Sequence, residues 1–146
     1  MHQKQKQTKQ YGFTLIELLA VLSIVAIILT ITIPTAIGLL EKKTEEKVLQ
    51  QFQYDILFLQ NESIGQERYL RMFFSDGTYQ IIDNQKQLLE RKLPDGWEIK
   101  QRTLDNISFN QNGTIRKAGT LQIRSPKNQY NIIFPLGKGR GYIVKQ

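Results

Sequence analysis

Two groups of residues in this sequence could do chemistry beyond packing, and they lie near its opposite ends. The first is Glu17, a carboxylate inside an apolar run from Phe13 to Ile33 that is otherwise interrupted only by Thr14, Ser23, Thr30 and Thr32. An ionised side chain in a bilayer costs on the order of a few kcal/mol on insertion scales, so such a residue ordinarily has a definite partner. The second is the stretch 106–146. There Arg116, Lys117, Arg124, Lys127, Lys138, Arg140 and Lys145 stand among Phe109, Tyr130, Phe134 and Tyr142 with no Asp or Glu. Cations interleaved with aromatics suit a polyanion, because Lys and Arg contacts to phosphates supply most non-specific DNA affinity. Lys138, Arg140 and Lys145, in a flexible Gly-rich setting, are the candidates for a weak, sequence-independent DNA contact. A solvated sheet face with ordinary cations is the plainer reading, and attraction to an anionic cell-wall polymer is a third.

Other chemistry is excluded by composition. The chain has no Cys and one His, His2, which removes thiol nucleophiles, disulfides, Cys/His zinc sites and Ser-His-Asp arrangements. Gly137-Lys138-Gly139-Arg140-Gly141 lacks the Walker spacing and the strand–loop–helix context of a phosphate loop. The acids are scattered, so no carboxylate pair for hydrolysis can be argued, and the sequons at Asn61, Asn106 and Asn112 carry no weight. No cofactor, metal or catalytic residue is expected. An anchored surface enzyme with a Ser/Lys or carboxylate site finds no constellation to support it.

The elements that must position these residues can be read from apolar periodicity. As a helix, the run 13–33 would rise about 32 Å, enough to cross a hydrocarbon core. Its N-terminal flank carries Lys4, Lys6 and Lys9 and no acid, which by the positive-inside bias keeps it cytoplasmic and sends the rest outward. A secretory signal peptide and an unprocessed signal anchor both compete with this reading. Neither accounts for a carboxylate so near the start of the apolar run. Pro34, costly in a helix interior, is expected to kink or locally melt the helix where the chain leaves the bilayer. Beyond it Ile37, Leu40, Val48, Phe52, Ile56 and Leu59 form one apolar stripe, the charges of 41–47 form a solvated helix face, and Gly65 is a plausible stop.

The segment Gly12-Phe13-Thr14-Leu15-Ile16-Glu17-Leu18-Leu19, with its short basic leader and with Pro34 further on, closely resembles the processing site of type IV prepilins and pseudopilins. The resemblance covers about the first 40 residues. It implies that a membrane-embedded prepilin peptidase cuts between Gly12 and Phe13 and methylates the new Phe13 amine. It also implies that Glu17 neutralises that amine on a neighbouring subunit during filament assembly. On the residues alone, Glu17 could equally fold back on its own Phe13, four positions away.

After the helix the pattern reads as antiparallel β. Strands are expected at 69–74 and 78–82 around Asp76-Gly77, and at 88–93, 97–102, 107–110, 114–116, 121–124, 130–134 and 142–144, with turn chemistry between them. The expected architecture is α+β: a leader (1–12), a transmembrane half-helix (13–34), an amphipathic half-helix (35–64) and a β-rich head (66–146) forming a sheet over the helix. The pattern of 107–113 and 119–123 also looks like minor pseudopilins of type II secretion and their Gram-positive competence relatives. This implies a low-copy subunit of a transformation pilus, partnered by other pilins and, indirectly, by an assembly ATPase and a membrane platform. It would be a single-pass membrane protein, its N-terminus cytoplasmic and its head extracellular, that enters a surface filament. A pseudopilin of protein secretion or of an adhesive pilus, and a surface DNA receptor, are the alternatives.

Overall fold

The structure, a computed structural model, describes residues 12–65 and 68–146; the leader expected over 1–12 lies, up to Tyr11, outside the described residues. One α-helix, α1, runs Leu15–Ser63. Eight strands follow: β1 Leu70–Ser75, β2 Thr78–Asp83, β3 Lys86–Lys92, β4 Glu98–Gln101, β5 Asn106–Ile107, β6 Gly119–Arg124, β7 Gln129–Phe134 and β8 Tyr142–Lys145. The contacts divide the chain into two compact units, one ending at Thr44 and one running from Glu45 to Gln146.

In the first unit every residue from Gly12 to Leu40 is exposed, and by length and composition the helix is apolar enough to cross a membrane. Its hydroxyls are satisfied within the helix. Ser23, Thr32 and Thr35 donate to the carbonyls of Leu19, Ile28 and Ile31 at 2.8, 2.9 and 2.7 Å, and Thr30 donates to Ile27 at 2.7 Å. Internal satisfaction is what a lipid-facing helix requires. The helix passes through Pro34 without interruption, so it does not melt there.

In the second unit α1 buries Phe52, Asp55, Ile56, Leu59 and Ser63, with Val48 and Leu49 partly buried against the core. The stripe expected from the sequence therefore shifts. Ile37 and Leu40 are 51% and 68% exposed, and Asp55 occupies a core position that apolar periodicity does not reveal. Gly65, at a φ of +68° that favours glycine, follows the last helical turn.

The strands form two antiparallel four-stranded sheets, ordered β3-β2-β1-β5 and β4-β6-β7-β8, rather than one sheet. Alternation turns Leu70, Met72 and Phe74 of β1 and Tyr130, Ile132 and Phe134 of β7 inward. All of these but Tyr130 meet Phe52, Ile56 and Leu59 in a single core, where the Phe52 ring stands edge-on to Tyr79 at 5.1 Å. The strand expected at 114–116 reduces to one bridge between Phe109 and Ile115. Asn110 takes over the backbone there, its Oδ1 accepting from the N–H groups of Asn112 and Thr114 at 3.0 and 2.9 Å.

Candidate functional site

Gly12, Phe13 and Thr14 precede the helix, and Phe13 is 81% exposed. The Gly12–Phe13 bond therefore lies in non-helical, accessible backbone. Thr14 Oγ1 accepts from the Glu17 N–H at 3.3 Å, and the Thr14 carbonyl accepts from Leu18 N–H at 3.1 Å. Thr14 is thus the N-cap and Glu17 the third helical residue, the spacing of a capping box, where an acid also meets the positive end of the helix dipole. The spacing Thr14-x-x-Glu17 is present in the sequence but is overshadowed there by the membrane argument. Because Phe13 stands outside the helix in this uncleaved chain, it shares no helical face with Glu17.

Three polar centres organise the second unit. Asp55, 4% exposed, accepts from Tyr79 Oη at 2.7 Å, Arg91 Nε at 3.2 Å and Gln51 Nε2 at 3.0 Å. Burial and the Asp55 carboxylate push the Tyr79 hydroxyl far above its ordinary range, and the same carboxylate raises Arg91. Glu45 lies in the charge run expected to be solvated. Instead it accepts from Ser125 Oγ, from Asn128 Nδ2 at 2.8 and 2.9 Å, and from Tyr130 Oη at 2.8 Å. Partial burial works against its charge, but these donors and the Lys145 ammonium hold its carboxyl below the usual value. Burial and Glu45 in turn push Tyr130 up to about 12.

The third centre is Gln60, whose Nε2 donates to the carbonyls of Gly113 and Gly139 at 2.6 and 2.8 Å. The Gly-rich stretch expected to be flexible is therefore tied to the helix. A Cβ at Gly139 would stand 2.6 Å from the Gly113 oxygen. The Lys138 carbonyl accepts from Ile115 N–H at 3.1 Å.

The candidate cations differ in their surroundings. Lys138 and Arg140 are exposed on the tied loop, whereas Lys145 lies 5.9 Å over the Tyr130 ring and beside Glu45. Of the others, Arg116 donates to the Phe109 carbonyl at 2.9 Å and stacks over Tyr69, and Lys117 pairs with Asp105 at 2.9 Å. Among the described residues no group of three or more His, Cys, Asp or Glu is placed to hold a metal ion.

Residues 7–33 match the family described as the prokaryotic N-terminal methylation motif. The chain is also 28% identical to competence protein ComGD of Bacillus subtilis (strain 168) over 136 residues, which cover 92% of this chain and 94% of that one. No solved structure matches. The matched motif, at the head of a long apolar helix joined to antiparallel sheets, and the near full-length likeness together support reading the chain as a type IV pseudopilin, ComGD-like.

Proposed function

We propose that the chain is a minor pseudopilin of a competence system, a structural subunit that supports DNA uptake and does no catalysis of its own. One observation carries the reading: the methylation motif over 7–33 coincides with an exposed Gly12–Phe13 bond just ahead of a helix long and apolar enough to cross a membrane. In this reading residues 1–12 are a cytoplasmic leader, 13–34 cross the membrane, 35–64 continue the helix and 66–146 form the extracellular head. Prepilin peptidase removes the leader and methylates Phe13. Pro34 sets a bend at the membrane boundary. Glu17 meets the Phe13 amine of a neighbouring pilin as the chain joins a surface filament driven by an assembly ATPase and a membrane platform.

The likeness to a competence protein favours a transformation pilus over a secretion or adhesive one. The test is expression of the full chain in cells with and without prepilin peptidase. With the enzyme, mass spectrometry should find a chain that begins at a methylated Phe13; an intact Gly12–Phe13 bond in peptidase-positive cells refutes the reading. Loss of transformation on deletion of the chain's gene, with protein secretion intact, supports the competence assignment, and the reverse pattern rejects it. Lys138 and Arg140 are proposed as a weak contact to DNA, Lys145 as a secondary one.

A further inference from the structure

The two sheets expose four edge strands, β3 and β5 in one and β4 and β8 in the other. Natural sheets guard such edges with charge or by keeping the strand short. Edge β3 carries Lys86, Glu90, Arg91 and Lys92, β4 carries Glu98 and Lys100, and β5 is two residues long. Edge β8 has a single charge, Lys145, and its outer side chains Tyr142 and Val144 are 50% and 42% exposed. Gln146 N–H donates to the Gln129 carbonyl at 2.9 Å, which makes 129/146 a hydrogen-bonded pair. Alternation along the ladder then turns the N–H and C=O of Val144 toward β7 and those of Ile143 and Lys145 away from it.

Next to this edge the layer between helix and sheet is incomplete. A cavity of about 280 Å³ is lined by Ile56, Leu57 and Gln60 of α1, by Ile132 and Phe134 of β7 and by Ile143 of β8. Gln53, Gly139, Arg140 and Gly141 complete its wall. A Cβ at position 141 would come within 2.7 Å of the Phe134 ring, so glycine is what fits there. A strand added beside β8 would place every second side chain on the inner face, and the one level with Ile143 would fill this space. Main-chain bonds then give affinity, and the pocket gives specificity.

We propose that β8 is a docking edge on which an extended segment of another pilin-like subunit adds as a fifth strand, with an apolar side chain in the cavity and an acidic one at Arg140. The acid follows from charge: 106–146 contains no Asp or Glu, so nothing in this stretch answers Arg140. A second copy of β8 is a poor occupant. Laid antiparallel about Ile143, it would set each Lys145 beside the other strand's Arg140 and Gly141, cation against cation. The inference rests on the pseudopilin reading above, and its experiment separates the two.

The chain has no cysteine, so Val144→Cys in the full chain, coupled to a photoactivatable maleimide in membranes that contain the other pilin-like subunits of its system, reports on this edge alone. A cross-link to another pilin-like subunit is expected from Val144→Cys. None is expected from Leu88→Cys on β3, where Leu88 is 37% exposed. Ile143→Pro, which removes an outward N–H, and Arg140→Glu should each cut the yield about tenfold. Arg140→Glu changes an exposed side chain only, so its result stands even where Ile143→Pro fails to fold. A cross-link to a second copy overturns the inference. So does no cross-link, or one that survives Arg140→Glu, while the chain still co-purifies with pilin-like subunits. Failure to co-purify at all overturns the pseudopilin reading itself, and the docking edge with it.

Discussion

Replacing Asp55 by Ala should destabilise the head by about 1–4 kcal/mol. Asp55 is 4% exposed and Tyr79 is 2% exposed. Removing the carboxylate therefore leaves the Tyr79 hydroxyl buried with its 2.7 Å acceptor gone. Orphaning a buried donor of this kind costs about 1–3 kcal/mol. The Arg91 side chain is 44% exposed, so water re-solvates it and its share is discounted to about 1 kcal/mol or less. Tyr79→Phe removes a hydrogen bond to a charged acceptor and should cost about 1.5–3 kcal/mol. In the Asp55→Ala background the same change removes an already orphaned hydroxyl and should cost little or nothing. The resulting double-mutant cycle should show a coupling of about 1–3 kcal/mol. The assay is urea unfolding of the full chain in detergent, followed through Trp97, the only tryptophan and 6% exposed. A cost below about 0.5 kcal/mol for Asp55→Ala, or additive single changes, would refute the reasoning, since either means that water reaches the pair.

Further outcomes follow from the same contacts. Glu45 is held below its ordinary value of 4.5, so its contribution is complete above that pH and lost as pH falls through the lowered value. Glu45→Gln should remove that segment of the pH–stability profile, worth about 1 kcal/mol or less, and an unchanged acid limb counts against it. Gly139→Ala forces a Cβ onto the Gly113 carbonyl at 2.6 Å and should cost about 1–3 kcal/mol in the same unfolding assay. For duplex DNA, the double change Lys138→Ala with Arg140→Ala should flatten the salt dependence of binding by about 0.9 for each phosphate no longer neutralised. Lys145→Ala should flatten it less, because that ammonium lies over Tyr130 beside Glu45; undetectable binding at low salt rejects the DNA-binding role.

The parts of the fold legible in the sequence are those fixed by local rules. The continuous apolar run gives the first half of α1, Gly65 marks its stop, and Asp76-Gly77 gives the β1–β2 hairpin, whose Gly77 adopts a φ of +68°. What stayed hidden depends on partners distant in the chain. Asp55 gives no sign of its core position in the sequence, and only in the fold do Tyr79 and Arg91 reach it from β2 and β3. Glu45 reads as solvated until the β6–β7 turn brings Ser125 and Asn128, 80 and 83 positions away. The division into two sheets likewise depends on the order of pairing, and β6 follows β4 in space but not in sequence. Periodicity reports which face of an element is apolar; it does not report which polar side chain finds a donor across the core.

Glu17 stands at the helix-capping position and is proposed to meet the Phe13 amine of a neighbour, and substitution can separate these two roles. Its backbone N–H is capped by Thr14 Oγ1, and as the third helical residue its side chain stands at the capping-box position, where both Glu and Gln serve. As the partner of a positive Phe13 amine it must carry charge, which Gln cannot supply. Glu17→Gln therefore keeps the capping-box side chain and loses the charge, Glu17→Ala loses both while its N–H stays capped by Thr14, and Thr14→Ala removes the hydroxyl cap alone, costing about 1 kcal/mol. If the charge drives assembly, Glu17→Gln and Glu17→Ala should fail equally to enter the filament, with Thr14→Ala near wild type. Leader removal should proceed in all three, because the scissile bond lies ahead of the helix. Incorporation of Glu17→Gln at the wild-type level, with loss in Glu17→Ala and Thr14→Ala, would instead make Glu17 a helix-starting residue and leave the amine to another partner.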